Sequence, residues 1–188
     1  EEAGRDERTP LELTNGVDLQ PIPNDRTLVQ MFEAGELDAL MTARAPSSFV
    51  NGKPNIARLF PNYREVEKSY YQKTKLFPIM HLVGIRNNLA ERYPWLAGSL
   101  YKAFLEAKSI ALEEVGQIAA LNVTLPWAEA EALESRALMG NDYWRYGISE
   151  CAHEIDTAAR YSFDQGLSVR RLTAEDLFAE STFELSKI

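Results

Sequence analysis

Through the middle of the chain runs Phe77-Pro78-Ile79-Met80-His81-Leu82-Val83-Gly84-Ile85-Arg86, which is almost entirely apolar between Ile79 and Ile85. Such a run predicts a strand that is buried on both faces, as strands of a parallel sheet are. His81 is the one titratable group inside the apolar part. Because burying an unpaired imidazolium is costly, His81 is either a neutral, hydrogen-bonded core residue or a group that points into a cleft.

The region before this run predicts a strand, a helix and a second strand. Residues 17–20 alternate like a short strand after a turn signal, and residues 37–42 read as the second strand. Between them, Thr27 is placed to cap a helix over residues 28–34, which Gly35 ends. Strand, helix and strand with tight connections form the unit of a parallel sheet.

Arg44 follows the second predicted strand almost immediately. In open α/β sheets, ligands gather in the crevice at the carboxyl ends of the strands. A guanidinium at this position is well placed to hold a carboxylate. The alternative is an ordinary exposed loop arginine, and the sequence leaves both interpretations open.

The rest of the chain is dominated by predicted helices. They cover residues 63–73, a long segment that starts near Pro94 and is broken at Thr124-Leu125-Pro126, residues 127–139 and residues 149–165, with a capping box formed by Thr173 and Asp176. The apolar residues of the long segment, from Leu96 to Val115, recur at helical spacing and predict a face that packs in the core. Between two of them, the aromatic loop 141–147 is either a packing plug or a ring-stacking wall. About three strands are too few for roughly five or six helices in one doubly wound sheet, so we expect further strands upstream.

Composition excludes several classes of protein. The 188 residues include 20 Lys and Arg against 28 Asp and Glu, a net charge of -8 that argues against a nucleic-acid partner. No apolar run approaches the roughly 18 residues of a membrane span. Cys151 is the sole cysteine and His81 and His153 are the only histidines, so we predict neither a disulfide nor a metal, and no cofactor. Residues 1–8 read as a charged loop that starts mid-protein, so we expect a processed or truncated chain.

Several motifs resemble the 4,5-dihydroxyphthalate decarboxylase family, in order and over essentially the whole chain. They are Gly4-Arg5-Asp6-Glu7-Arg8, Ala34-Gly35-Glu36-Leu37-Asp38-Ala39-Leu40, Phe77-Pro78-Ile79-Met80-His81, Ile85-Arg86, Tyr93-Pro94-Trp95, Arg136-Ala137-Leu138-Met139-Gly140-Asn141-Asp142-Tyr143-Trp144, Gly147 and Gly166-Leu167-Ser168-Val169-Arg170-Arg171-Leu172. Family members are considerably longer, and this chain resembles their C-terminal part.

The resemblance implies a helix-rich α/β fold of the type II periplasmic-binding-protein kind, with two lobes and a ligand cleft. Residues 1–76 would belong to the second lobe, and residues 77–188 would form the crossover strand and the helices that return to the first lobe. The missing N-terminal segment would be needed to complete the cleft. Because the fold also serves solute-binding proteins of ABC transporters, fold alone does not decide function.

The resemblance also implies an aromatic carboxy-lyase that converts 4,5-dihydroxyphthalate to protocatechuate and CO₂ in the cytoplasm. In that interpretation His81 is the catalytic proton donor or phenol base, and Arg44, Thr42 and Arg86 bind the small aromatic carboxylate. The competing interpretation is a solute-binding protein that captures such a ligand without chemistry, periplasmic if the full protein carries a signal peptide. A homo-oligomer is left open.

Overall fold

The structure, a computed structural model, describes residues 16–119 and 122–183. Its helices are α1 (Leu28–Glu33), α2 (Ser47–Val50), α3 (Tyr63–Thr74), α4 (Asn87–Arg92), α5 (Leu96–Val115), α6 (Ala128–Met139), α7 (Ala152–Asp164) and α8 (Ala174–Leu177), followed by a 3-10 turn at Glu180–Thr182. The prediction of a helix-rich chain is confirmed. The charged loop predicted for residues 1–8 and the motif at residues 4–8 lie outside the described residues.

The chain divides into two units, of which the first comprises Glu1–Val66 with Gln165–Leu167. Its described part shows the capping box that starts α1: Thr27 Oγ1 accepts a hydrogen bond from the Gln30 amide at 3.2 Å, and Gln30 Oε1 accepts one from the Thr27 amide at 2.8 Å. Gly35, with φ of 76°, turns the chain after the helix, as predicted. An ion pair between Arg26 and Glu36, 2.6 Å long, joins the two ends of this segment.

The second unit comprises Glu67–Asp164 and Ser168–Ile188 and is organised around α5, a helix of 20 residues. Helix α5 contacts α4, α6 and the 3-10 turn, and α7 contacts α8. The buried apolar side chains of the described residues are small or branched: Ala97, Ala132, Ile155 and Ala159. No helix in the described ranges has both the length and the apolar character that a membrane span requires.

The positions of the longer helices agree well with the sequence predictions, whereas the burial of α5 does not. Helix α6 ends at Gly140, whose φ is 94°, as its sequence indicates. Helix α7 begins at Ala152 instead of residue 149, because residues 148–151 form a turn in which the Cys151 amide bonds to the Gly147 carbonyl at 3.1 Å. The apolar stripe of α5 was expected in a core, yet Phe104 and Ile110 are 43% and 51% exposed.

The three predicted strands are absent from the part of the chain that the structure describes. Residues 17–20, 37–42 and 79–85 have no regular secondary structure there. A strand exists only through hydrogen bonds to a neighbouring strand, which an apolar pattern in one segment cannot supply. The expected burial on both faces is also wrong: Met80 is 58%, Leu82 is 66% and Val83 is 63% exposed. The α/β sheet is therefore not seen in the described residues.

Candidate functional site

The second unit contains a cavity of about 820 Å³, a size that suits a small organic ligand. One wall is the segment of residues 77–85, and others come from α5, from the loop of residues 143–148 and from the start of α7. The stretch from Asp176 to Ala179 also lines it. Most of these side chains are apolar or aromatic, so the few polar groups among them set its chemistry.

An unusual backbone conformation just after the end of α3 sets the direction in which residues 77–85 leave the helix. Lys75 has φ of 58°, a left-handed conformation that is rare for residues other than glycine. Its amide bonds to the Tyr71 carbonyl at 2.7 Å, and the next amide, of Leu76, bonds to Thr74 Oγ1 at 3.1 Å. These bonds end the helix and turn the chain into the cavity wall.

His81 lies on this wall and is exposed. Of the two interpretations of His81, the placement agrees with a group that points into a cleft instead of a satisfied core residue. Its neighbours in the wall, Met80 and Leu82, are apolar and exposed as well. The catalytic role of His81 stays a prediction.

A polar cluster built on Arg145 and Glu154 lies in the same cavity lining. Arg145 Nη2 forms an ion pair with Glu154 Oε1, and Arg145 Nη1 donates a hydrogen bond to the Glu150 carbonyl at 2.9 Å. The Glu154 side chain is only 3% exposed. Its second oxygen, Oε2, is buried and has no hydrogen-bond partner among the described residues. The cluster therefore holds a fixed carboxylate with one oxygen unused.

Cys151 lies one helical turn before Glu154 and also lines the cavity. Its Sγ donates to the Arg145 carbonyl at 3.5 Å. Burial, and then the nearby carboxylate of Glu154, raise the pKa of the Cys151 thiol above its usual range. The thiol is therefore held neutral, which makes it a weak nucleophile.

The aromatic loop is packed in place and still lines the cavity. The Trp144 ring meets the Phe77 ring edge-on at 5.4 Å between centroids. Lys108 Nζ lies 2.7 Å from Asp142 Oδ1 and 4.9 Å from the centre of the Tyr146 ring. Both interpretations of the loop thus hold in part, since it is a packed element whose rings form a wall.

Gly147 closes this loop where a side chain would not fit. Its φ is 103°, and a Cβ placed there would lie 2.6 Å from Tyr101 Oη. The Tyr101 hydroxyl donates to the Tyr146 carbonyl at 3.4 Å, so α5 and the loop approach closely at this point.

The other predicted binding residues do not line this cavity. Thr42 Oγ1 donates to the Arg44 carbonyl at 3.1 Å and accepts from the Arg44 amide at 3.3 Å, which makes a local turn of exposed residues in the first unit. Arg86 is exposed and precedes α4, where its carbonyl accepts from the Leu89 amide at 2.9 Å. The structure therefore brings Thr42 and Arg44 together and puts His81 with Arg145 and Glu154.

Sequence reasoning missed Arg145 and Glu154. Arg145 was visible as the one cation inside the aromatic loop, whereas Glu154 had the pattern of an ordinary acid in the first turn of a helix. His153 is an exposed residue, and its Nε2 lies 3.1 Å from the Thr74 carbonyl oxygen. Within residues 16–119 and 122–183, no group of three His, Cys, Asp or Glu side chains converges as metal ligands would.

Comparison with known proteins gives two related sequences. The chain is 40% identical over all 188 residues to 4,5-dihydroxyphthalate decarboxylase of Comamonas testosteroni and covers 57% of that protein. The predicted family resemblance is confirmed. A second protein called 4,5-dihydroxyphthalate decarboxylase, from Pseudomonas putida, is 36% identical over 72 residues, which are 38% of this chain and 28% of that protein. No protein-family model matches the chain.

The match to the Comamonas testosteroni decarboxylase covers 100% of this chain, so it includes both units and the whole cavity lining. The chain spans little more than half the length of that decarboxylase. The cavity of this chain therefore corresponds to one part of that longer protein.

Proposed function

We propose that this chain is part of a 4,5-dihydroxyphthalate decarboxylase, which converts 4,5-dihydroxyphthalate to protocatechuate and CO₂. The observation that carries the proposal is 40% identity over all 188 residues to a protein of that name. The names of both relatives favour an aromatic carboxy-lyase over a solute-binding protein. The chain covers only 57% of the Comamonas testosteroni decarboxylase. The activity is therefore proposed for the full-length protein that contains these 188 residues.

The reaction requires electrons and a proton at one ring carbon. Each carboxylate of 4,5-dihydroxyphthalate has a hydroxyl group para to it on the ring. A base removes the proton of that hydroxyl, and the electron pair of the resulting phenolate makes the para carbon basic enough to accept a proton, which gives a dienone. The bond from that carbon to the carboxylate then breaks, CO₂ leaves, and the electron pair of the bond restores the aromatic ring as a phenolate, which takes back a proton from the acid form of the base.

His81 is the residue we assign to the proton. It is exposed in the lining of a cavity of about 820 Å³, where an aromatic acid can reach it. Imidazole changes its protonation state near neutral pH, so it is suited to donating a proton to carbon or removing one from a phenol. The aromatic side chains of the same lining offer faces for ring stacking.

Arg44, Thr42 and Arg86 are proposed to bind the carboxylates. The support for Arg44 is the exposed turn that it shares with Thr42, because an exposed guanidinium is free to form a bidentate pair with a carboxylate. Arg86 follows the cavity wall directly in sequence. The ligand is a small aromatic carboxylate, with no metal or cofactor in the proposed reaction.

The proposed whole protein has the two-lobed α/β fold of type II periplasmic binding proteins. Residues 1–76 are assigned to the second lobe and residues 77–188 to the crossover strand and the helices of the first lobe. Exposure of Met80, Leu82 and Val83 supports a further segment of the polypeptide that covers them. We assign the protein to the cytoplasm.

The test is CO₂ release by the full-length protein. It is incubated with 4,5-dihydroxyphthalate labelled with ¹³C in both carboxyl groups, and labelled CO₂ is measured by mass spectrometry. Phthalate with the same label is the matched control, because it lacks the hydroxyl groups that drive the reaction. Labelled CO₂ from the dihydroxy compound alone is expected. Tight binding of the dihydroxy compound without CO₂ would contradict the proposal and favour the solute-binding function.

A further inference from the structure

One of the residues that line the cavity, Glu154, has a buried carboxylate oxygen that no described residue uses. Glu154 is 5% exposed, and its Oε2 has no hydrogen-bond partner among the described residues. A buried polar atom without a partner is uncommon and costs free energy. Because Glu154 is one of the cavity-lining residues, a bound ligand is a natural source of the missing donor.

Arg145 fixes the position of this carboxylate. Its Nη2 holds Glu154 Oε1, while its Nη1 is anchored to the Glu150 carbonyl at 2.9 Å. The neighbouring Cys151 thiol is engaged as well, because it donates to the Arg145 carbonyl and its pKa is raised. An acceptor that is fixed before binding needs no reorganisation when a donor arrives.

The chemistry of the donor follows from the charge at this end of the cavity. A ligand carboxylate at Glu154 Oε2 would bring two acceptors together with no proton to share, because both groups are acceptor-only when ionised. A neutral hydroxyl group supplies the proton that such a pair lacks. In 4,5-dihydroxyphthalate the two hydroxyl groups lie on the ring edge opposite the two carboxylates.

We propose that Glu154 Oε2, held in place by Arg145, accepts the hydrogen bond of a ring hydroxyl of the substrate. This inference rests on the proposed function and adds a substrate-binding residue to it. The contact orients the ring with its hydroxyl edge towards Glu154 and its carboxylates away from it. It also draws the hydroxyl proton away from the ring oxygen, which increases electron density at the para carbon that must accept a proton.

The test compares ligands with and without hydroxyl groups in the full-length protein. Protocatechuate and benzoate are suitable probes for calorimetric titration, because neither carries the second carboxylate that the proposed reaction removes. Glu154→Gln keeps the size of the side chain and an oxygen for Arg145, but it replaces the unused acceptor by an N–H donor. The matched control is Glu129→Gln, the same substitution at an exposed residue of α6 that does not line the cavity.

Glu154→Gln should weaken protocatechuate binding roughly 10-fold or more, the effect of a hydrogen bond to a charged group, and should change benzoate binding less than about twofold. Glu129→Gln should change neither. The inference would be overturned if Glu154→Gln weakened the binding of protocatechuate and benzoate equally, or weakened neither. If that variant does not fold, the parent protein must still bind protocatechuate more tightly than 3,4-difluorobenzoate, and equal binding would overturn the inference as well.

CO₂ release by the same parent preparation separates this inference from the proposed function. In one outcome the Glu154→Gln variant no longer prefers protocatechuate over benzoate, while the unsubstituted protein releases no CO₂. That outcome would refute the decarboxylase proposal and support the hydroxyl contact. In the other outcome the unsubstituted protein releases CO₂, and the Glu154→Gln variant still prefers protocatechuate over benzoate. That outcome would refute the hydroxyl contact alone.

Discussion

His81 and Glu154 meet solvent very differently although both line the same cavity. His81 is exposed, whereas the Glu154 side chain is 3% exposed and fixed by Arg145. An exposed imidazole is open to solvent and substrate, while a buried carboxylate in an ion pair keeps a constant position. The two side chains therefore suit different tasks, proton delivery for His81 and orientation of the substrate for Glu154.

Replacement of His81 tests the first of these tasks. In the full-length protein, His81→Ala should reduce CO₂ release from 4,5-dihydroxyphthalate by roughly 100-fold or more, the usual contribution of a general acid or base. Circular dichroism should be unchanged, because the side chain is exposed and no core packing is lost. His153→Ala is the control, since His153 is exposed and does not line the cavity. Normal turnover in His81→Ala would remove His81 from the mechanism.

The Cys151 thiol gives a pH-dependent test of the polar cluster. Burial and the Glu154 carboxylate raise its pKa in the folded protein, so the thiolate forms at a higher pH than in the unfolded chain. The rate of alkylation by iodoacetamide should therefore reach half its maximum at a higher pH in native protein than in protein unfolded in urea. A free thiol has a pKa of about 8.5. Identical pH profiles would show that neither burial nor the Glu154 carboxylate raises the pKa of the thiol.

The cluster of Arg145, Cys151 and Glu154 was not predictable from the sequence, for a physical reason. An acid in the first turn of a helix is normally solvated, and nothing local distinguishes Glu154 from Glu129 in the first turn of α6. Burial of Glu154 depends on the loop that carries Arg145, which is a tertiary contact. For His81 the apolar run left a core position and a cleft position open, and the exposed position in the cavity lining agrees with the second.

Helices were more predictable than strands because the signals for helix ends are local. The capping boxes at Thr27 and Thr173 and the stop at Gly140 each depend on residues within one helical turn. The strand expected over residues 79–85 depends on partners elsewhere in the chain, which the pattern alone does not reveal. Helix α4 was missed because Asn87–Arg92 is short and has no side-chain cap.

The junction between α5 and the aromatic loop should be intolerant of even a methyl group. Gly147→Ala adds a Cβ 2.6 Å from Tyr101 Oη at a φ of 103°, so we expect a loss of about 1–3 kcal/mol in the free energy of unfolding. Gly140→Ala is the control for backbone strain alone, since φ is 94° there and no atom lies within 4 Å of the added Cβ.

Urea unfolding measures both variants, and the Gly147 variant should be the less stable. Adding Tyr101→Phe to Gly147→Ala removes the clashing oxygen and should recover part of the loss. If the two glycine variants are equally stable, the close approach to Tyr101 has no energetic effect.

In the full-length protein, the amides of residues 79–85 should be protected from hydrogen exchange. The segment of residues 79–85 has no regular secondary structure, and Leu82 and Val83 are 66% and 63% exposed. If the proposed upstream segment covers it with a strand, its amides become hydrogen-bonded. Hydrogen exchange followed by mass spectrometry should then be slower for these amides, by about 100-fold or more, in the full-length protein than in the isolated 188-residue chain.

The amides of α6 supply the internal control for that comparison, because that helix is already hydrogen-bonded within itself. They should exchange at similar rates in both proteins. Equal exchange of residues 79–85 in both would exclude strand pairing at this segment.

The left-handed backbone conformation at Lys75, and not its side chain, sets the direction in which the cavity wall leaves α3. The side chain contributes a contact of Nζ with the Tyr71 ring at 5.5 Å, but the bend itself needs only a residue that tolerates φ of 58°. Glycine or asparagine at this position would keep the course of the polypeptide, whereas valine or isoleucine would resist it. Lys75 is therefore a position at which the bend that precedes the cavity wall can be changed without replacing a residue of the lining.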